Sequence, residues 1–397
     1  MGSFATFETA GQGGRPPGKI DASLNEKLQG VKWGEYKFKS IFNRIEQGRR
    51  LKKDDQILGN IPFVMAGTTN TGVVNYISNP VASFPENSIT VDIFGNVFYR
   101  DYAFGAGDDT GVYWNDKTTY SKNTMIFFSI TMAKALLGKF SFGKKLRSSQ
   151  SLDFTMLLPT KNGQIDFEFM ESFIRELEEE RIRELTAYLT VSGFDNYELS
   201  NIERKALEEY STLPFEDYPI VDIFDVKNTA NILSNDITEN SGTTPYLCAS
   251  AENNAVSSYI TYDEKYLEKG NCIFIGGKTF VVSYQEKDFY SNDSHNLALY
   301  LKDEDRTRLN QLYLATCIYR SLCHKYSWGN SVSKAKIKSD YVSLPTKDGK
   351  PDYSAMATFI SAIQKLVIKD VVLYTNRKID GTKKIVANDD CQDNLRR

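Results

Sequence analysis

Most of this chain occurs twice. Leu158-Pro159-Thr160-Lys161-Asn162-Gly163 returns as Leu344-Pro345-Thr346-Lys347-Asp348-Gly349, an offset of 186 residues. The match continues at that offset from Met170, Phe173 and Ile174 to Met356, Phe359 and Ile360. Upstream, Ile61-Pro62-Phe63-Val64 and Val74-Asn75-Tyr76-Ile77-Ser78 answer Thr244-Pro245-Tyr246-Leu247 and Ser257-Ser258-Tyr259-Ile260-Thr261 at an offset of 183. A third pair, Lys139-Phe140-Ser141-Phe142-Gly143 and Lys325-Tyr326-Ser327-Trp328-Gly329, is again 186 apart. Three collinear blocks with so little drift are the trace of a duplication with loop insertions. A period near 185 residues is too long for a solenoid, so the chain folds as two similar lobes.

Each lobe has the same plan. Short runs rich in Val, Ile, Phe and Tyr, broken by Gly, Asn and Asp, predict strands and turns. Ser88–Phe94, Gly95-Asn96 and Val97–Tyr99 form one expected hairpin, and Asn271–Ile275, Gly276-Gly277 and Thr279–Val282 its counterpart. A helix is expected near Thr124–Leu137 and another near Thr307–Cys323. Each lobe then closes in a Pro-Thr-Lys-Asn/Asp-Gly turn and a long helix, with Asp166, and Asp352 or Ser354, placed to cap it. Apolar residues recur at helical spacing, from Met170 to Leu189 and from Met356 to Tyr374, over about 22 residues and about 33 Å in each case. The two apolar stripes are expected to pack as an antiparallel pair.

The reading is α+β: two similar mixed sheet and helix domains with pseudo-two-fold symmetry, separated by long helices. The expected boundaries are an arm over 1–30, a first domain over 31–165 and a central helical spacer over 166–212. A second domain over 213–350, a C-terminal spacer helix over 351–376 and a polar tail over 377–397 follow.

Composition matters chiefly through where the charge sits. The total, 48 basic against 51 acidic residues, argues mildly against a nucleic-acid partner, but the average conceals segregation. Between Lys32 and Lys53 eight basic residues face two acids, Glu35 and Glu46. The stretches Lys139–Ser151 and Lys325–Lys338 hold four basic residues each and no acid. Acidity collects on the first long helix, at Glu168, Glu171, Glu176, Glu178, Glu179, Glu180 and Glu184. Basic, Ser- and Asn-bearing loops recurring in both lobes suit phosphate anchoring and base-edge contact. The five cysteines, all in the C-terminal half, read as reduced thiols. With no apolar run of membrane-spanning length and no secretion signal at the first residues, the expected compartment is the cytoplasm and no membrane partner is expected.

On these blocks the sequence resembles the specificity subunit of type I restriction–modification systems, and is similar to the separate specificity subunits of type II enzymes with fused nuclease and methyltransferase. The blocks are Ile61–Ser78 with Thr244–Thr261, Asn87–Tyr99 with Gly270–Tyr284, and Phe142–Leu189 with Trp328–Thr375. The resemblance implies two target-recognition domains, each reading half of a bipartite site in double-stranded DNA. It also implies helices that act as a ruler and dock methyltransferase subunits and, in some systems, a nuclease subunit. No cofactor is expected in this chain, S-adenosylmethionine belonging to the partner methyltransferase. The chain departs from the type I pattern where the usual Pro-Pro-Leu-x-Glu-Gln helix start is replaced by Pro-Thr-Lys-Asn-Gly and Pro-Thr-Lys-Asp-Gly.

Three loop sets per lobe are the candidate DNA contacts. In the first lobe they are Thr68, Thr69 and Asn70, then Asn96 and Arg100, then Lys144, Lys145, Arg147, Ser148 and Ser149. In the second they are Asn253 and Asn254, then Lys278 and Tyr284, then Asn330, Ser331 and Lys334. Arg and Asn suit bidentate base contacts, and lysines suit phosphates.

Catalytic constellations are missing from the sequence. There are two histidines, His295 and His324. Cys317, Cys323 and His324 share one expected helix but lack a second zinc-ligand pair. Gly277-Lys278-Thr279 lacks the earlier glycine of a phosphate loop. Asn79-Pro80-Val81 falls short of an amino-methyltransferase motif. A non-catalytic chain is expected. The alternatives are a two-lobed carbohydrate-binding protein, motivated by Trp114, Trp328 and the many tyrosines, and a nuclease or methyltransferase in its own right.

Overall fold

The computed structural model describes the backbone of residues 22–80, 83–303 and 306–395, with side chains to residue 381. Its described residues form two compact units, one closing at Glu184 and the other starting at Leu185.

The first unit opens with α1 (Ala22–Gly30), β1 (Trp33–Lys37), α2 (Phe38–Ile41) and β2 (Arg44–Gln47). Next come β3 (Leu58–Val64), β4 (Val73–Ile77), β5 (Ser83–Phe84), β6 (Ser88–Asp92), β7 (Val97–Arg100), β8 (Phe104–Ala106) and β9 (Thr110–Trp114). It ends with α3 (Lys122–Leu136), β10 (Thr155–Lys161), β11 (Gln164–Ile165) and α4 (Phe167–Val191). Three small sheets result, in strand orders β1-β10-β11, β2-β9-β6-β7 and β4-β3-β8-β5. All pairs are antiparallel except β3 with β8.

The second unit repeats this order: α5 (Asn201–Glu208), β12 (Phe215–Pro219), α6 (Ile220–Ile223), β13 (Phe224–Asn228), β14 (Thr244–Leu247) and β15 (Val256–Ile260). Then follow β16 (Cys272–Ile275), β17 (Val282–Gln285), β18 (Tyr290–Ser291), β19 (Leu297–Leu301), α7 (Arg308–Leu322), α8 (Lys334–Ile337), β20 (Tyr341–Lys347), β21 (Lys350–Pro351) and α9 (Tyr353–Leu395). Its sheets run β12-β20-β21, β13-β19-β16-β17 and β15-β14-β18. The registers correspond: Trp33 faces Pro159 as Phe215 faces Pro345. The parallel pair recurs as β14 with β18.

The Asn162-Gly163 and Asp348-Gly349 turns have positive φ at both residues, the two-residue geometry that matches strand twist. They turn the chain into the long helices, whose first free N–H groups Asp166 and Asp352 cap at 3.0 and 2.9 Å. α3 and α7 are capped in the same way by Ser121 and Thr307. In each unit the middle helix and the start of the long helix close one core. Ile89, Tyr113, Phe128, Leu158, Met170 and Phe173 are buried together in the first. Ile273, Leu299, Leu314, Ile318, Leu344 and Met356 are buried together in the second.

Four expectations are corrected. The stretch 166–212 is shared between the units: Met170, Phe173 and Ile174 in the first turns of α4 are core residues of the first, while α5 packs on α9 within the second. α1 lies where an arm was expected, and residues 1–21 fall outside the described backbone. α9 does not stop near residue 376 but runs 43 residues to Leu395, about 65 Å. A polar, proline-free sequence continues a helix after its apolar stripe ends, and one glycine, Gly381, is too weak a breaker to stop it. The second hairpin resumes at Val282 rather than Thr279.

Candidate nucleic-acid interface

A left-handed turn organises each lobe. Asn70, Thr71 and Gly72 all have positive φ (47°, 51° and 86°), and so do Asn253, Asn254 and Ala255 (47°, 52° and 68°). Asn tolerates this region because its short amide bonds locally. Asn70 Nδ2 donates to Val73 O at 3.3 Å and Asn253 Nδ2 to Val256 O at 2.9 Å. Thr68, Thr69, Asn70, Asn253 and Asn254 are all exposed on these turns.

Three of the candidates lie inside the scaffold. Arg100 is only 1% exposed. Its Nη1 donates to Thr71 Oγ1 at 2.9 Å and its Nη2 to Thr71 O, and burial pulls its pKa down. In the other lobe Gln285 takes this position on β17, and its Nε2 donates to Asn254 O at 2.9 Å. Tyr284 is buried too, its hydroxyl donating to Asn271 Oδ1 at 3.2 Å as Tyr99 does to Asn87 Oδ1 at 3.1 Å. Both asparagines have positive φ, so the tyrosines fix sheet corners. Arg100 and Tyr284 brace the scaffold from inside. So does Ser148, which is buried with its N–H donating to Gln47 Oε1 at 2.9 Å.

The basic run of the first lobe divides in the fold. Lys37 and Lys39 both pair with Asp153 at 2.8 Å and hold its carboxyl at about 2. Arg44 lies over the Trp114 ring and near Asp116. Arg50, Lys52 and Lys53 instead meet Lys145 and Arg147 around a groove of about 800 Å³. Gln56 and Asn75 add amides, and Leu51, Met65, Val74 and Ile93 an apolar lining. Of the two acids there, Asp109 Oδ2 accepts from Ala66 N at 3.0 Å, while Asp108 receives Arg147 Nη1 at 2.6 Å through its backbone carbonyl. Arg50, Lys52, Lys53, Gln56 and Asn75 were not singled out from the sequence. The charge run was its signal, but only folding separates the groove residues from Lys37, Lys39 and Arg44.

Lys144 and Lys145 are exposed over the Phe140 and Phe142 rings, and Ser149 is exposed after Arg147. Asn96 sits in the β6–β7 turn with its amide donated to Asp92 at 2.7 Å. In the second lobe Lys278 is paired with Asp293 at 2.9 Å. Burial alone would raise the Asp293 carboxyl, but bonds from His295 and Lys278 outweigh it and hold it at about 2. Lys334 is exposed at the first position of α8. Asn330 accepts from Lys336 Nζ at 2.7 Å, and Ser331 O from the same ammonium at 2.8 Å.

The residues weighed as metal ligands do not assemble: no group of three or more His, Cys, Asp or Glu able to hold a metal occurs among the described residues. Cys317 lies against the second core, burial pushing its thiol up to about 12. Trp114 is half-buried, packed edge-on against Phe84 with Arg44 over its ring. Among the described residues no helix is long and apolar enough to cross a membrane.

The model of the "Type I restriction modification DNA specificity domain" matches residues 30–187 and again residues 213–373. The specificity subunit S.BcgI of a type II restriction enzyme from Heyndrickxia coagulans is 32% identical over 155 residues, 38% of this chain and 45% of that protein. The chain thus aligns with less than half the length of that relative. Among solved structures, the type I restriction–modification S subunit from M. genitalium matches with a TM-score of 0.50 over 90% of this chain and 94% of that one, at 12% identity, a likeness of fold. With two copies of the domain covering most of its length, this chain belongs to the type I restriction–modification DNA specificity family.

Proposed function

We propose that the chain is the DNA-recognition subunit of a restriction–modification complex. Each lobe reads one half of a bipartite duplex site, and methylation, with any cleavage, is done by partner subunits. The chain itself is non-catalytic and works in the cytoplasm. The observation that carries this reading is the first-lobe groove, where five cations from two distant loops converge beside the Gln56 and Asn75 amides, which bond to each other at 2.8 Å. Such a surface neutralises phosphates through Lys and Arg. On the lobes, Thr68, Thr69, Asn70, Lys144, Lys145, Arg147, Ser149, Asn253, Asn254, Asn330, Ser331 and Lys334 face the DNA, joined by Arg50, Lys52 and Lys53. Lys278 contributes less, because Asp293 already holds it. The partner methyltransferases, which carry the methyl donor, dock on the long helices. There Tyr188 and Val191 on α4, and Leu366, Val367, Val371 and Tyr374 on α9, are exposed, an apolar surface of the kind that partners cover.

A salt series tests the reading. Arg147→Ala and Lys334→Ala should each weaken duplex binding, and each should lower the slope of log affinity against log salt by about 1. Wild-type affinity and slope in both variants would remove these loops from the interface.

A further inference from the structure

The two most exposed aromatic rings among the described residues are Phe142, 82% exposed, and Trp328, 76% exposed. The duplication puts them at one and the same point of each lobe. Each ring opens a two-residue turn completed by glycine. Ser141 and Lys144 exchange backbone hydrogen bonds of 3.1 and 3.0 Å around the first, and Ser327 and Asn330 bonds of 3.2 and 3.0 Å around the second. Two residues earlier the aromatic points the other way. Phe140 packs on the first core, and Tyr326 is buried with its hydroxyl donated to Asp340. An inner ring therefore anchors each turn while an outer ring is held in water, where it gains nothing for the fold.

The surroundings indicate what the outer rings meet. Lys145 Nζ stands 4.8 Å from the Phe142 centroid. Lys145 also borders both the large basic groove and a smaller one of about 630 Å³ shared with Lys139 and Lys144. Near Trp328, Asn330 binds the ammonium of Lys336. No Asp or Glu occurs in 139–152 or 324–339. A flat apolar ring flanked by lysines, with Asp340 beside the second turn already held by Lys325 and Tyr326, is complementary to a polyanion with aromatic bases inside it: the free lysines meet phosphates and the ring meets bases.

We infer that Phe142 and Trp328 are base-contacting rings, each packed against the bases of its half-site between lysine-held phosphates. The inference rests on the DNA-recognition reading and adds to it an apolar contact that charge alone does not supply. The test uses the full chain and the duplex that it enriches from a random-sequence pool, with 2-aminopurine substituted through each half-site. Phe142→Ala and Trp328→Ala should each weaken binding about ten-fold with the salt slope unchanged, because a ring displaces no counterions. Lys145→Ala should lower the slope. Each alanine variant should also suppress the 2-aminopurine change in one half-site only, Trp328→Phe should restore it, and melting temperatures should stay at the wild-type value. Undiminished affinity in both alanine variants would overturn the inference, as would a loss matched by the slope change of Lys145→Ala. Normal DNA binding with lost capture of the methyltransferase would overturn it too, reassigning the rings to a protein contact. If the wild-type chain, alone and with its methyltransferase, binds no duplex, the underlying reading fails as well, which separates that result from the others.

Discussion

Arg100 and Gln285 occupy one position in two lobes and reach the same carbonyl with different chemistry, at Thr71 and Asn254. A turn with three successive left-handed residues is held only if something satisfies its inward carbonyl. Truncating Arg100 removes the buried donor that serves that carbonyl, the Thr71 hydroxyl, Thr90 Oγ1 and the Tyr102 hydroxyl, and leaves its own space inside the lobe unfilled. Arg100→Ala should therefore lose about 2–3 kcal/mol of stability, while Arg100→Gln, which copies the second lobe, should recover most of it. Urea unfolding of the three proteins checks this. If Arg100→Ala unfolds like the wild type yet loses sequence preference, Arg100 is a reader after all. Residue chemistry was the only guide from sequence here. Arg and Tyr have the right groups for base contact, but whether β7 and β17 turn them inward depends on pairing with β6 and β16. The exposure of Thr68, Asn70 and Arg147 was legible because they lie on turns and loops, which stay at the surface.

Within the second unit, α5 is tied to α9 through one acid. Glu203 accepts from Ser361 Oγ at 2.7 Å and from Lys365 Nζ at 2.9 Å, and it closes a capping box with Ser200. Burial by itself would raise its pKa, but the bonds from Ser361, Lys365 and Ser200 prevail and hold it at about 2. A carboxyl depressed by folding adds stability above its unfolded pKa, and that stability is lost as pH falls from about 4.5 toward about 2. Glu203→Gln should destabilise the unit by on the order of 2–3 kcal/mol at neutral pH and flatten the acid side of its stability profile. An unchanged profile would show that the pair contributes nothing. In the first unit α1 and α4 make the corresponding link, Lys27 to Glu176. The long helices' starts, with Asp166 and Asp352 as caps, and the Asn-Gly and Asp-Gly turns before them were readable from spacing, whereas the caps Ser121, Thr307 and Ser200 were not singled out. The helical end of α9 was not readable, because it carries no apolar period, and α1 was hidden in what looked like an arm.

Taken whole, the two lobes share a fold but not a charge. Residues 31–165 hold 17 basic and 11 acidic residues, and residues 213–350 hold 15 and 18. The loop after the second strand shows where the difference arises. Residues 48–53 include Arg49, Arg50, Lys52 and Lys53, while the counterpart 229–234 has no charged residue. The first lobe should thus carry more of the salt-dependent affinity. Replacing Arg50, Lys52 and Lys53 together by alanine should reduce the salt slope by about 2–3, against a smaller change for Lys334, Lys336 and Lys338 together. Equal changes would contradict the asymmetry. The duplication made the two-lobe architecture visible in the sequence. The groove was not visible, since its walls come from loops about 90 residues apart in the chain.

The central claim, two readers in one chain, is tested most directly by selection from random-sequence duplex DNA, with the full chain alone and with its partner methyltransferase. Two short motifs at one fixed separation should be enriched, and exchanging the loops of one lobe should change one motif only. Enrichment of a single continuous motif, or binding with no motif at all, would contradict the claim.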